Sequence, residues 1–279
     1  MSDGELLAGS IRKMQVRLTD PVEYQLPLGD ELLSMNQYIG SHLTFNFNGN
    51  IFCIHCGRKT KKSFSQGYCF PCMKRLAQCD SCILSPEKCH YDAGTCREPE
   101  WGEQNCMIEH IVYLANASAP KVGITRGSQV PTRWIDQGAS QALPILAVQT
   151  RLQSGLVEVL LKAHIADKTN WRTMLKGSPD PVDLQQLASN LLEQIQPGLT
   201  ELQNTHGLQA IQILSEQESV DISYPVEQYP EKIVSLNAEK TPELGGQLLG
   251  IKGQYLIFDT GVINMRKYTG YDVSVRLAS

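Results

Sequence analysis

Hydrophobic and polar residues alternate in two segments near the start of the chain, IRKMQVRL (11–18) and HLTFNFNG (42–49). Such alternation is typical of a strand that buries one face. β-prone segments return near the other end of the chain, and the glycines within them fit turns and bulges. We therefore predict strands in both terminal regions, with the C-terminal ones at 213–219, 231–237, 246–259 and 272–277.

The pattern changes several times between residues 110 and 176. Two β-prone runs, HIVYLAN (110–116) and PKVGIT (120–125), are separated by three residues and predict a hairpin. Pro131 can begin a helix and Gly138 can end it, which predicts a short helix over 131–137. A buried strand, a helix and a further helical turn are predicted at 143–150, 154–166 and 170–176. The predicted order is β-β-α-β-α-α.

An amphipathic segment over residues 181–204 predicts one helix or a broken pair of helices. Its apolar face carries, at helical spacing, Leu184, Leu187, Leu191 and Ile195. We expect Pro197 and Gly198 to interrupt it. The predicted fold class is α+β, with a β-rich region that holds the cysteines, an α/β domain, and a helix with a small β region, at 1–105, 106–176 and 177–279. The pattern leaves open whether the last region packs on the N-terminal strands.

All nine cysteines lie between Cys53 and Cys106. The first residues, MSDGELLAGS, lack the basic and apolar parts of a secretion signal. We therefore expect a cytoplasmic protein whose cysteines bind metal rather than form disulfides. Two CxxC pairs, CIHC (53–56) and CFPC (69–72), are separated by twelve residues, as in a zinc ribbon. We predict that one zinc ion binds Cys53, Cys56, Cys69 and Cys72.

The remaining cysteines predict a second zinc site. CDSC (79–82) is a further CxxC pair, and two later cysteines can complete a set of four. His90 or Cys106 could replace either of these two, because imidazole and thiolate both bind zinc. An iron–sulfur cluster is also open, since four thiolates alone do not select the metal. The predicted ligands are Cys79, Cys82, Cys89 and Cys96, which leaves Cys106 as a buried free thiol.

The net charge of the 279 residues is −4, which excludes a uniformly basic surface for nucleic acid. No apolar run approaches the ~20 residues of a membrane span, so no membrane contact is expected. Residues 41–79, however, contain no Asp or Glu and mix aromatic with basic side chains. This mixture predicts contact with phosphates and bases of RNA or DNA, with a solvated basic face as the alternative. The basic residues are Arg58, Lys59, Lys61, Lys62, Lys74 and Arg75.

Glu158 is a carboxylate in the otherwise apolar helical segment GLVEVLL. An unpaired buried charge is costly, so this side chain needs a metal ion, an arginine or a shifted pKa. Arg133 and Arg151 are candidate partners in a purely structural ion pair. A metal ion would instead make the same carboxylate part of a functional site.

Residues 111–170 resemble the GIY-YIG endonuclease superfamily. The resemblance rests on IVY (111–113), KVGIT (121–125), Arg133, Glu158 and Asn170, taken in this order. It covers about 65 residues, and its β-β-α-β-α order agrees with the pattern described above. Ile111 stands where the first motif has Gly, and Lys121 stands where the second has Tyr. The whole chain also looks like a bacterial family of unassigned function.

The resemblance implies hydrolysis of phosphodiesters with one divalent metal. Glu158 would bind Mg²⁺ or Mn²⁺, and Tyr113 would position or activate the water. Arg133 would stabilise charge on the phosphoryl group, and Gly123 would allow a close backbone approach. Asn170 matches an Asn common in the family. Two alternatives stay open, namely a catalytically inactive nucleic-acid-binding or adaptor protein and a zinc-stabilised protein–protein scaffold.

Overall fold

The computed structural model describes residues 5–277. Its strands are β1 (Glu5–Ser10), β2 (Gln15–Arg17), β3 (Glu23–Leu28), β4 (Glu31–Ser34), β5 (His42–Phe52), β6 (Lys59–Thr60), β7 (His110–Asn116), β8 (Pro120–Arg126), β9 (Gln141–Val148), β10 (Ile211–Ile213), β11 (Val220–Asp221), β12 (Glu243–Lys252), β13 (Tyr255–Phe258), β14 (Gly261–Asn264) and β15 (Tyr271–Leu277). Its α-helices are α1 (Phe70–Arg75), α2 (Pro99–Asn105), α3 (Thr132–Asp136), α4 (Arg151–Lys162), α5 (Trp171–Met174) and α6 (Leu184–His206). The predicted mixed fold class, with a β-rich N-terminal region, is confirmed.

The largest sheet joins strands from the two terminal regions. Its order is β1-β15-β5-β12-β13-β14, and β6 pairs with the end of β5. Neighbouring strands are antiparallel, so that Phe45 of β5 lies opposite Val275 on one side and Leu244 on the other. A second, three-stranded sheet has the order β2-β3-β4. The strand predictions within 11–18 and 42–49 are confirmed by β2 and β5.

Two predicted C-terminal strands are wrong. Residues 231–237 form no strand, and of 213–219 only Ile213 belongs to one. The backbone of 234–236 instead runs beside β14, where Val262 donates to Val234 at 2.8 Å and accepts from Leu236 at 2.9 Å. Val234 is 46% exposed, so the segment does not bury the face that its alternation predicts.

The predicted β-β-α-β-α-α order between 110 and 176 is confirmed. Strand β7 lies between β8 and β9, and both pairs are antiparallel. Strands β10 and β11 from the C-terminal region both pair with β9 and enlarge the sheet to five strands. The short helix α3 ends before Gly138, whose φ of +70° is accessible to glycine at low cost.

Strand β7 is buried on both faces, and alternate side chains enter different cores. Val112 and Leu114 pack with apolar residues of α4 and α6. Tyr113 and Ala115 point to the opposite face and join the large core that includes Trp134 and the strands of the seven-stranded sheet. The α/β segment is therefore a layer between two helices and the terminal sheet.

Helix α6 runs without a break through the predicted interruption. Pro197 is exposed, so the carbonyl that lacks a backbone donor there can bind water. Gly198 faces Leu160 of α4, and an added Cβ would lie 2.8 Å from that side chain. The glycine thus allows two helices to approach closely rather than ending one. At 23 residues α6 is long, yet no helix among residues 5–277 is both long and apolar enough to cross a membrane.

Helix α4 also supports the segment that carries the later cysteines. Its first turn is closed by a capping box, in which Thr150 and Gln153 exchange side-chain to backbone hydrogen bonds of 3.3 and 3.0 Å. At Gly155 the backbone of residues 86–87 packs directly on the helix, and an added Cβ would lie 2.6 Å from Pro86. Any larger residue at this position would push the cysteine segment away from α4.

Candidate functional site

Four thiols from two turns converge beyond the end of β5. Cys53 follows β5 directly, and Cys69 immediately precedes α1. The sulfurs of Cys53, Cys56, Cys69 and Cys72 all lie within 4.8 Å of one another, and the Sγ atoms of Cys56 and Cys69 are 3.7 Å apart. A tetrahedral zinc with Zn–S bonds of about 2.3 Å holds its sulfurs about 3.8 Å apart. This group can therefore bind one zinc ion.

Backbone geometry around Cys53 prepares its sulfur for a metal. Gly57, with φ of +69°, donates its N–H to the carbonyl of Cys53 at 2.9 Å and closes the turn. Burial raises the pKa of the Cys53 thiol, but hydrogen bonds from the N–H groups of Cys56, Cys69 and His55 outweigh it and lower the pKa to about 6. The thiolate is the form that binds zinc, so this site favours it near neutral pH.

A basic surface surrounds this thiol group. Lys62 Nζ lies 5.6 Å from the ring centre of Phe64, and Lys74 Nζ lies 5.7 Å from that of Phe70. The two rings pack edge to face at 5.5 Å. None of the six predicted basic residues forms an ion pair among residues 5–277. The six exposed side chains of this basic surface are Arg58, Lys59, Lys61, Lys62, Lys74 and Arg75.

The remaining five cysteines are arranged differently from the prediction. Cys79 packs beside the first thiol group with Leu76 and Tyr68. Cys106 does not stand alone, because the end of α2 returns it to the other late cysteines. One small enclosed cavity is lined by Cys82, Cys89, Cys96 and Cys106. Cys79 and Cys106 thus exchange the positions that their spacing predicts.

A larger cavity of about 400 Å³ opens beside β8, α3 and α4. Residues 83–86 of the cysteine segment form part of its wall. Its basic lining residues are Lys13, Arg126, Arg133, Arg151 and Arg266. Its acidic lining residues are Asp136, Glu158 and Asp167. Cations therefore outnumber carboxylates by five to three, which favours an anionic ligand.

The predicted catalytic residues are brought together only in part. Arg133, Glu158 and Gly123 line the 400 Å³ cavity. Tyr113 is fully buried, and its ring lies directly beneath Gly123, where an added Cβ would be 2.6 Å from the hydroxyl. Asn170 is not among the lining residues. Its side chain accepts hydrogen bonds from backbone N–H groups at the start of α5 and serves as a helix cap.

The ionic partner of Glu158 is neither of the two arginines predicted from the sequence. Glu158 is 9% exposed and pairs with Lys162, one helical turn later, at 3.1 Å. The same ammonium group lies 3.2 Å from the carboxylate of Asp167. One cation therefore bridges two carboxylates at the edge of the cavity.

Gln137 connects the buried part of the site. Its side-chain oxygen accepts a hydrogen bond from the hydroxyl of Tyr113 at 3.1 Å and another from Lys121 Nζ at 2.5 Å. Burial and the nearby Arg133 lower the pKa of Lys121 to about 8. Burial raises the pKa of Tyr113 to about 12, so its hydroxyl stays protonated at neutral pH. Both groups can donate protons in hydrogen bonds just behind the cavity wall.

Two cationic residues of the cavity come from distant parts of the chain. Lys13 lies before β2 and pairs with Asp136 of α3 at 2.5 Å. Arg266 lies after β14, where burial and the nearby Arg133 lower its pKa. Single basic residues in β-rich segments carry no local motif, so no signal in the sequence placed them here. Only the pairing of the terminal strands brings them to the α/β segment.

The comparisons with known proteins give a family without an assigned activity. No curated protein and no solved structure matches the chain. The family described as "Protein of unknown function (DUF2797)" matches residues 40–273. That match includes both cysteine groups, the basic surface and nearly all of the residues that line the larger cavity. The chain therefore belongs to the DUF2797 family of proteins of unknown function.

Proposed function

We propose that this protein binds zinc and acts on nucleic acid, as a divalent-metal-dependent phosphodiesterase. The observation that carries the proposal is the cation-rich 400 Å³ cavity, in which Arg133 and Glu158 face one space. Arginine binds phosphate with two parallel hydrogen bonds, and Arg133 forms no ion pair among the described residues. Its guanidinium group is therefore available to a phosphodiester.

A divalent cation fits the two carboxylates at the cavity edge. Glu158 and Asp167 already share one positive charge, that of Lys162, at 3.1 and 3.2 Å. Lys162 is at the surface, with 35% of its side chain exposed, so it can turn outward without opening the core. Carboxylate oxygens are the ligands that Mg²⁺ and Mn²⁺ prefer. When bound, such a cation would offset negative charge on the phosphate and its leaving oxygen.

The other residues of the site would orient the substrate and water. Arg133 would bind the phosphoryl oxygens and stabilise the charge that grows on them. Gly123 has no side chain, so a phosphate could approach the backbone of β8 closely. Tyr113 would act from behind Gly123, because its hydroxyl is held by Gln137 at 3.1 Å. Lys121 shares that acceptor and would keep the position electropositive.

The basic surface would supply most of the binding to the nucleic-acid backbone. Replacing Lys59, Lys61 and Lys62 with alanine is expected to weaken binding to all sequences and to flatten its salt dependence. For duplex DNA the slope of log affinity against log salt should fall by about 0.9 for each phosphate that the variant no longer neutralises. Titration with labelled RNA and DNA at several salt concentrations measures both quantities.

The matched control replaces Lys176, Lys232 and Lys240, three exposed lysines outside the basic surface. This variant has the same change in net charge and should keep the wild-type slope. Equal slopes in the two triple variants would show that binding does not use the basic surface. Wild-type protein that binds no RNA or DNA at low salt would remove the nucleic-acid proposal and favour the scaffold alternative.

Lys162 should compete with the divalent cation. Lys162→Met removes the ammonium group that neutralises Glu158 and Asp167. Because a partly exposed ion pair is worth about 1 kcal/mol, the Mg²⁺ concentration for half-maximal cleavage should fall about fivefold. Lys168→Met, at an exposed position nearby, serves as the control. An unchanged Mg²⁺ requirement in Lys162→Met would argue against a metal at these carboxylates.

A second candidate function is binding to nucleic acid without hydrolysis. The ion pair between Glu158 and Lys162 favours it, because this pair satisfies the buried carboxylate without any metal. Incubation of the wild-type protein with labelled RNA and DNA, with and without Mg²⁺ or Mn²⁺, separates the two functions. Metal-dependent cleavage supports the phosphodiesterase, whereas salt-sensitive binding without cleavage supports the binding protein.

A further inference from the structure

The four late cysteines surround a common closed space. Cys82, Cys89, Cys96 and Cys106 line a cavity of about 10 Å³, whose walls are otherwise formed mainly by Ile83, Tyr91, Trp101 and Gly102. Gly102 is required for this closure, since an added Cβ would lie 3.4 Å from the sulfur of Cys96 and 2.9 Å from the ring of Tyr91. The thiols therefore face one another in a mostly apolar shell, close to the surface but covered.

The spacing of these thiols differs from that of the first group. The four sulfurs of the first group all lie within 4.8 Å of one another, and the four late sulfurs do not. A single tetrahedral zinc leaves no free space between sulfurs about 3.8 Å apart. A cubic iron–sulfur cluster instead binds each thiolate to a different iron atom, so its cysteine sulfurs stand farther apart around a central volume.

We propose that Cys82, Cys89, Cys96 and Cys106 bind a 4Fe–4S cluster, in a centre separate from the zinc site. Each thiolate would occupy one iron, and the apolar walls would shield the inorganic sulfides from water. This assignment does not depend on the proposed action on nucleic acid.

Other potential ligands near this cavity already have partners. Asp80, Cys82 and His90 offer ligand atoms within 4.8 Å of one another. The carboxylate of Asp80, however, pairs with Arg97 at 2.7 Å and accepts the N–H of Ser81 at 2.5 Å. His90 Nδ1 lies 2.8 Å from the hydroxyl of Thr95. This trio is therefore held by ion pairs and hydrogen bonds of its own.

Arg151 supplies positive charge beside the thiols. A cluster with four thiolates carries net negative charge, which a buried cation can offset. Arg151 Nη2 donates to the carbonyl of Ile83, the residue after Cys82, at 2.6 Å. The guanidinium also lines the larger cavity, as do residues 83–86. The proposed cluster would therefore fix one wall of the cation-rich site.

The test begins with metal analysis of the full chain. Protein purified without oxygen, or reconstituted with ferrous iron and sulfide, should contain about four iron and four sulfide, with the broad visible absorption of iron–thiolate charge transfer. About one zinc should remain from the first site. A second zinc in place of iron after both treatments would overturn the proposal, and about two irons and two sulfides would overturn the four-iron assignment.

Two cysteine variants test the ligand set. Cys106→Ala should lose the iron and the visible absorption, whereas Cys79→Ala should keep both. The reverse result would overturn the assignment of Cys106. If Cys106→Ala does not fold, alkylation of the native wild-type protein decides the question. Iron-loaded protein should protect Cys82, Cys89, Cys96 and Cys106 together, and removing the iron should expose them together, as read by mass spectrometry.

Discussion

Replacement of Glu158 with Gln is expected to abolish metal-dependent cleavage of nucleic acid while leaving the fold intact. Gln keeps the size and shape of the side chain but removes the charge needed to hold Mg²⁺ or Mn²⁺. Loss of a metal ligand of this kind should lower the cleavage rate at least about a hundredfold. The measurement is the initial rate on labelled RNA and DNA, with binding affinity determined in parallel.

The control for this variant is Glu193→Gln, which makes the same chemical change at an exposed position on α6. Its cleavage rate should equal that of the wild type. Glu158→Gln removes the ion pair with Lys162, so thermal unfolding must be compared for both variants. Full activity in a folded Glu158→Gln protein would exclude this carboxylate from the mechanism and leave nucleic-acid binding as the stronger function.

Replacement of Cys69 with Ser is expected to remove zinc and unfold the module between β5 and the end of α1. Zinc binding and folding are one process in small sites of this kind, with apparent binding free energies of about 10–16 kcal/mol in zinc-finger peptides. Proteolysis within residues 53–76 should accelerate at least about tenfold. Elemental analysis should show the loss of about one zinc ion.

Cys79→Ser is the matched control for Cys69→Ser. Cys79 packs beside the first thiol group but does not belong to its set of four. This variant should therefore retain zinc and resist proteolysis as the wild type does. Unchanged zinc content in Cys69→Ser would falsify the assignment of the first site. Removal of zinc by a chelator should reproduce the Cys69→Ser pattern in wild-type protein, and re-addition of zinc should reverse it.

Local patterns predicted the elements of the α/β segment because each residue pattern there has one compatible structure. Alternating and continuous apolar runs predicted β7, β8 and β9, and Pro131 with Gly138 predicted α3. The same reasoning failed at Pro197 and Gly198, where burial of Leu191, Ile195 and Leu199 holds the helix together. Packing that comes from another helix has no counterpart in the local pattern.

The sites were predictable where ligands are close in sequence. The two CxxC pairs of the first thiol group converge as their spacing predicts. The later cysteines are separated by longer segments, and their grouping depends on the turn at Cys79 and on where α2 ends. The partner of Glu158 likewise depended on geometry, since Lys162 is one turn away and both arginines have other positions. Long-range placement was the part that the sequence could not provide.

The seven-stranded sheet imposes an order on folding during protein synthesis. Strand β5 takes its long neighbours, β12 and β15, from the last part of the chain. Roughly 190 residues separate Phe52 from Glu243, so a ribosome adding about 5–20 residues per second needs roughly 10–40 s to make them. For that interval most of β5 has unpaired edges, while the segment from β7 to α4 can already fold. A nascent chain stalled before residue 243 should therefore bind holdase chaperones through its first 52 residues.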